Sequence, residues 1–285
     1  MASDKTNCVG GLCFDEIGYW SEIKLDIVKE YAQAYSKILA TKRFTFAYID
    51  GFAGSGVHLA KGSKELVPGS PLNALQIDPP FHEYFLVDLD GDKVDQLRGF
   101  PEVKDRQGVH VIHGDCNRVL LDDVFPKVKY EDYRRALCVL DPYGLHLNWE
   151  VIETAGKMKS IEIFLNFPIM DMNRNALWHK PELASAEGQA RMTAFWGDES
   201  WKQAAYRKQP TLFGEDDDIK RGNKDVVDAF TERLKSVAGF EFVPEPLPMR
   251  NSTNAVVYYL FFASHQPVAS KIVQDIVKKY KNRRV

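Results

Sequence analysis

The sequence predicts an α/β fold: a doubly wound, mostly parallel sheet with an antiparallel C-terminal strand and a helical insertion. Three observations lead there. Between residues 44 and 168, short apolar runs ending in an acid or a turn alternate with helix-period segments, the pattern of successive strand–helix–strand units. A glycine-rich turn follows the first of these runs. After residue 168 the apolar runs stop, and a strong one, NAVVYYLFFASHQ at 254–266, returns only near the end.

Taken in order, residues 1–43 give a loose, glycine-bearing start and then an amphipathic helix over 20–40. Ile23, Ile27, Tyr31, Ala34, Tyr35 and Ile38 recur there at three- and four-residue spacing. The core, 44–168, begins with FTFAYID at 44–50, a compact β-rich run that ends in an acid and meets GFAGSG at once. YFLVDLD at 84–90 leads into a helix around 92–97, and GVHVIHGD at 108–115 into a helical CNRVLLDDVF. RALCVLDPYG at 135–144, a helix over 149–158 and SIEIFLNFP at 160–168 complete this part. Residues 169–238, rich in Met, Asn, Trp and charge, read as a helical cover over the strand ends, without a strong strand. Residues 239–285 return to the sheet with the strand at 254–266 and an amphipathic helix over 268–280. Residues 240–243 are the expected hairpin partner, because the stretch after them is broken by prolines.

Composition narrows the function classes. The 285 residues are 45% hydrophobic and 27% charged with formal net charge -3, so a packed core is affordable and dominant disorder is excluded. No wholly apolar run, that at 256–263 included, approaches the ~20 residues that span a bilayer. The first residues lack the cationic start and apolar stretch of a signal peptide, and a cytoplasmic setting is the expectation. Near-neutral charge gives nucleic acid no general support. An acidic run at 215–218 and a basic tail with Lys278, Lys279, Lys281, Arg283 and Arg284 read as solvated segments. Cys8 and Cys13 have no second pair or nearby His, so no metal site is expected.

In a doubly wound sheet, ligands bind outside the carboxyl ends of the strands, where the strand order reverses. Four successive strand ends here carry Asp50, Asp88 or Asp90, Asp115 and Asp141. The loop after the first, Gly51, Phe52, Ala53, Gly54 and Gly56, lets the backbone approach a ligand closely. It is not a dinucleotide fingerprint, because Leu59 stands where the third glycine belongs, and it lacks the Lys-Ser/Thr of a P-loop. Asp50 would repel a pyrophosphate and attract a cation, which argues against hydride transfer on NAD. S-adenosylmethionine, with a sulfonium, an ammonium and no phosphate, suits such a place. Asp88 or Asp90 would take the ribose hydroxyls, and Asp115 with the Cys116 backbone N–H the adenine. Asp141, Pro142 and Tyr143 stand where a methyl acceptor would be presented, Tyr143 by stacking. Lys24, Asn166, Arg174 and Arg250 are candidates for the acceptor side, with Asn175 and Asn251 beside them, whereas His58 and His113 read as structural.

These blocks have a resemblance. Trp20-x-x-x-Lys24-Leu25 through Tyr31, YIDGFAGSG, GSPLNAL, FLVDLDGD, GDCNRVL, LDPYGL with Trp149, LNFP followed by MDMNRN, FWGDESW and RNSTNAVVYYLFFASHQP run from end to end. In that order they resemble the three-Cys-motif partner family (TcmP). The resemblance implies a class I methyltransferase-like Rossmann fold, S-adenosyl-L-methionine as cofactor, and a neighbouring radical-enzyme-like protein with three cysteines as partner. It supplies no acceptor. Related adenine methyltransferases carry [DN]-P-P-[YF] where this chain has Asp141-Pro142-Tyr143-Gly144, so a nucleic-acid base or another amine stays open. Two readings therefore stand: a methyltransferase of unknown acceptor, and a non-catalytic binding protein with a methyltransferase fold.

Overall fold

The computed structural model describes residues 7–9, 12–210 and 216–281. The chain opens with β1 (Asn7–Val9) and β2 (Leu12–Ile17), then the long helix α1 (Tyr19–Ala40) and the first core strand, β3 (Thr45–Asp50). Two short strands, β4 (Val57–Ala60) and β5 (Leu66–Pro68), and helix α2 (Ser70–Leu75) precede β6 (Glu83–Asp88). Helices α3 (Gly91–Arg98) and α4 (Pro101–Lys104) lead to β7 (Val109–His113), and α5 (Cys116–Val119) to β8 (Arg134–Leu140). Helix α6 (Trp149–Met158) connects to β9 (Ile161–Phe167). The insertion holds α7 (Ile169–Asn175), α8 (Ala186–Trp196), α9 (Trp201–Ala205), a hairpin of β10 (Tyr206–Pro210) and β11 (Asp216–Lys220), and α10 (Asn223–Ser236). The chain closes with β12 (Leu247–Arg250), β13 (Val256–Ala263) and α11 (Pro267–Lys281).

Seven strands form one sheet in the order β12-β13-β9-β8-β3-β6-β7. The five consecutive strands β9-β8-β3-β6-β7 are parallel, and β13 runs antiparallel to both of its neighbours. This is the doubly wound, mostly parallel sheet with an antiparallel C-terminal strand expected from the sequence. Side chains alternate between two cores, as strand periodicity requires. Phe46 and Tyr48 of β3 join α1, α2 and α11 on one face, while Ala47 and Ile49 join α6 and the insertion on the other. Burial on both faces explains why these strands read as unbroken apolar runs. The chain leaves β3 toward β6 and β7, then returns to β8 on the other flank of β3. The order therefore reverses between β3 and β8, which fixes where the crevice opens.

Three expectations change. Residues 169–238 are not purely helical: β10 and β11 pair antiparallel, with Lys208 on Asp218 at 3.1 Å. Charge complementarity across the pair replaces an apolar face, so no apolar run announces it. The insertion also does more than cover strand ends, since Phe195, Trp196, Trp201 and Phe230 are buried in the core beside Phe167 and Phe261. The hairpin partner of β13 is β12, not 240–243; Pro248 is tolerated there because β12 is an edge strand that pairs only with β13. Phe242 makes a single bridge to Ser264. Finally, the start of the chain and the stretch after the glycine loop build a second sheet, β1-β2-β4-β5, in which Asp15 of β2 lies opposite His58 of β4. The cysteine pair at 8 and 13, part of the acidic run and the end of the basic tail fall outside the described side chains.

Candidate functional site

The glycine loop is stitched across the strand tips. Gly51 N donates to the Val139 carbonyl of β8 at 3.0 Å, and Ala53 N to the Val87 carbonyl of β6 at 2.9 Å. Gly54 (φ +62°) and Gly56 (φ +87°) adopt left-handed backbone that favours glycine. A Cβ on Gly54 would meet nothing within 4 Å, so this point of the loop faces open space. Asp50 is 0% exposed; its Oδ1 accepts from Phe52 N at 3.2 Å and the Tyr48 hydroxyl approaches Oδ2 at 3.4 Å. Burial pushes its pKa up to about 6, helped by Asp141 and Asp88 nearby. Asp50 thus shapes the loop from beneath and offers a ligand its field, not its surface.

Asp88 and Asp90 have different work. Asp90 is exposed and caps α3, accepting from Asp92 N at 3.0 Å and Lys93 N at 3.3 Å. Asp88, 7% exposed, accepts from Gly54 N at 2.7 Å on Oδ2 and from Asp90 N at 2.9 Å on Oδ1. Each carboxylate oxygen has a second lone pair, so Asp88 keeps acceptor capacity at the tip of β6. Asp115 caps α5 by accepting from Asn117 N at 3.0 Å. The Cys116 thiol beside it is buried and its pKa is raised by that burial, which makes it a packing group.

The acceptor-side candidates converge. Lys24 of α1 places Nζ on Asp141 Oδ2, and Asn166 of β9 donates Nδ2 to Oδ1 at 2.7 Å. The Lys24 side chain is only 11% exposed, with Nζ 5.8 Å from the Tyr258 ring centroid. Asn166 Oδ1 is buried and has no hydrogen-bond partner. Phe52, Gly54, Lys24, Asp141, Pro142, Tyr143, Asn166 and Arg174 all line one cavity of about 390 Å³. Larger, shallower hollows of about 890 Å³ by α6 and α8 and about 670 Å³ by β7 hold no such group of candidates.

Other candidates stay outside this cavity. Asp50, Asp88, Asp90, Asp115 and Cys116 sit at the same edge of the sheet but do not line it, because the loop or a helix start uses their polar atoms. Arg250 donates Nη1 to the Asn254 carbonyl at 2.9 Å within its own hairpin. Tyr143 is half exposed, and its hydroxyl donates to Asp15 Oδ2 at 3.0 Å while accepting from Lys93 Nζ at 3.2 Å. Its hydroxyl end is thereby fastened to β2, which restrains the stacking role expected of it. Lys93 and Asp15 pair at 2.6 Å. Burial alone would raise the Asp15 pKa, but the Lys93 ammonium and the Tyr143 hydroxyl outweigh it and hold the carboxyl below its usual range.

Asp15 and His58 are among the cavity residues that were not expected. Asp15 fastens the small sheet over the crevice, and His58 lines the wall with Nδ1 buried and unpartnered. Burial and the nearby Lys24 charge push the His58 pKa down to about 4, so the imidazole is neutral. The only signal for His58 was its place two residues beyond the glycine loop. Among the described residues no His, Cys, Asp and Glu cluster is placed to hold a metal, and no helix is long and apolar enough to cross a membrane.

No family model matches the chain, and no curated protein matches it. Solved structures that the chain matches include protein LPL1258 of Legionella pneumophila, at TM-score 0.48 and 12% identity over 90% of this chain and 92% of that one. Trm5b of Pyrococcus abyssi matches at TM-score 0.39 and 14% identity over 91% of this chain, which spans 55% of Trm5b. TYW2 of M. jannaschii, solved in complex with AdoMet, matches at TM-score 0.37 and 10% identity over 90% of this chain and 82% of that one.

Proposed function

We propose that this chain is an S-adenosyl-L-methionine-dependent methyltransferase. The observation that carries the reading is one cavity, at the reversal of strand order, lined by the glycine loop, the Asp141-Pro142-Tyr143 strand tip and the Lys24–Asp141–Asn166 cluster. Its volume of about 390 Å³ is that of a small-molecule pocket. The chemistry around it fits the cofactor. Asp88 has lone pairs left for ribose hydroxyls, Gly54 faces open space, and the first N–H groups of α5 lack intrahelical acceptors. When bound, the cofactor supplies an electrophilic methyl group on a sulfonium.

The chain's own residues position the acceptor. Asn166 Oδ1, buried and unpartnered, is an acceptor for an N–H donor, while Asp141 and Lys24 fix the amide's orientation. The Asp15–Lys93–Tyr143 contacts hold β2 beside the crevice. Orientation of this kind supplies much of the rate in a direct transfer. An amine, a nucleic-acid base included, fits this donor–acceptor set.

A second reading is favoured by one detail: both Asp141 oxygens are already engaged by Lys24 and Asn166. A methyltransferase-fold binding protein, acting with a three-cysteine partner as the family resemblance implies, needs no free carboxylate there. Calorimetric titration with S-adenosylmethionine and S-adenosylhomocysteine tests the enzyme reading. Binding of both is expected, and silence with both refutes it.

A further inference from the structure

The place where an acceptor amine would sit is already taken by an amine of the chain itself. Lys24 Nζ rests on Asp141, beside the Tyr258 ring, in a cavity whose wall includes Phe52 and Gly54 of the glycine loop. The side chain is largely shielded from solvent, yet it belongs to the cavity surface. Nearby lysines differ. Lys61 is exposed at the mouth, and Lys93 is held away by Asp15 and Tyr143. Two groups around Lys24 are equipped for an amine in a reaction: Asp141, which holds it, and Asn166, whose Oδ1 has no donor.

Resting on the methyltransferase reading, we propose that Lys24 is a methylation site of the protein itself, modified in place by a bound sulfonium methyl donor. The Lys24 ammonium gives one proton to the Asp141 carboxylate, which passes it to solvent through the open mouth of the cavity. The freed Nζ lone pair then forms the N–C bond as the S–C bond of the donor breaks, leaving N-methyllysine as its ammonium and the donor as a neutral thioether. Charge and atoms balance with one proton released. Asn166 Oδ1 accepts an N–H of the amine and holds its lone pair toward the donor. Because methylation keeps the positive charge, the pair with Asp141 survives the reaction.

The test uses the purified full chain. Incubation with S-adenosylmethionine, followed by peptide mass spectrometry, is expected to add one methyl group at Lys24. Calorimetry gives a readout independent of turnover. In Lys24→Met the ammonium no longer opposes the sulfonium and Asp141 faces it unpaired. Affinity for S-adenosylmethionine relative to S-adenosylhomocysteine should therefore rise about tenfold. If the donor binds but Lys24 stays unmodified, or methyl groups appear only on Lys61 or Lys93, this inference fails and the methyltransferase reading stands. An unmoved affinity ratio in Lys24→Met places the lysine away from the sulfonium and also overturns it. Absence of donor binding overturns both.

Discussion

Replacing Asp88 by Asn tests both the loop-building role of this carboxylate and the ligand role proposed for it. In the native site its two oxygens accept two backbone N–H groups, from Gly54 at 2.7 Å and Asp90 at 2.9 Å. An amide retains one acceptor oxygen, so one charge-assisted bond worth about 1.5–3 kcal/mol is lost. Its NH₂ then faces a backbone N–H in a nearly closed environment, and an unsatisfied donor there costs about 1–3 kcal/mol more. Partial relaxation of the loop brings the expected loss in unfolding free energy to about 2–4 kcal/mol by urea denaturation. The same substitution would weaken the proposed ribose contact, and S-adenosylhomocysteine affinity should fall by about tenfold or more in calorimetry. A variant within about 0.5 kcal/mol of the parent, with affinity unchanged, would refute the assignment of Asp88 to both tasks.

Two further expectations follow from buried groups. Glu162, fully enclosed with hydroxyl partners Tyr31 and Ser264, has its pKa raised by burial from 4.5 to about 7. An acid raised in the folded state contributes most below its unfolded pKa, and that contribution is lost as pH rises through about 7. Between pH 4.5 and 8 the parent should therefore lose about 3 kcal/mol relative to Glu162→Gln, read from paired urea melts; equal pH dependence in the two proteins would exclude this. Gly56→Ala should destabilise by about 1–3 kcal/mol, since φ is +87° and the new Cβ would lie 2.8 Å from Leu97 Cδ1. Gly54→Ala, at φ +62° with open space around it, should cost only about 1 kcal/mol; the two thermal melts compare directly, and equal losses would mean that the Leu97 contact does not matter.

The central sheet was legible because β3, β6 and β8 are buried on both faces, so each leaves a continuous apolar run with a polar residue at or just beyond its carboxyl end, and β9 is apolar but for Glu162 and Asn166. The small sheet was not. Strands such as Val57–Ala60 and Leu12–Ile17 are short and carry charge or histidine. They are fixed by contacts far apart in sequence, Asp15 to Lys93 and Lys64 to Glu16, which no local period records. The site divides in the same way. Lys24, Asp141 and Asn166 each stood out by position, but their union depends on α1 crossing the tip of β8, 117 residues away. His58 and Asp15 sat in segments expected to be irregular, so neither carried weight until β2 paired with β4.

The acids at four successive strand ends, read along the chain, suggest a common electrostatic task, and the structure assigns them separate ones. Like charges gathered at a half-dry crevice repel, and each must be stabilised locally to persist. Asp50 meets this by sinking under the loop, where a pKa of about 6 lets it carry less charge near neutral pH. Asp88 is met by two backbone donors, Asp90 and Asp115 by helix N-termini that favour negative charge. Asp141 alone opens on the cavity, and it alone is paired with a full cation, Lys24. An incoming sulfonium would therefore meet a cavity whose one lining strand-tip carboxylate is already neutralised. Attraction must come from Asp88 and the field of Asp50 behind the loop, with Lys24 opposing it at the acceptor end. On the proposed function, that opposition makes Lys24, more than any of the acids, the residue expected to set the balance between binding the charged donor and its neutral product.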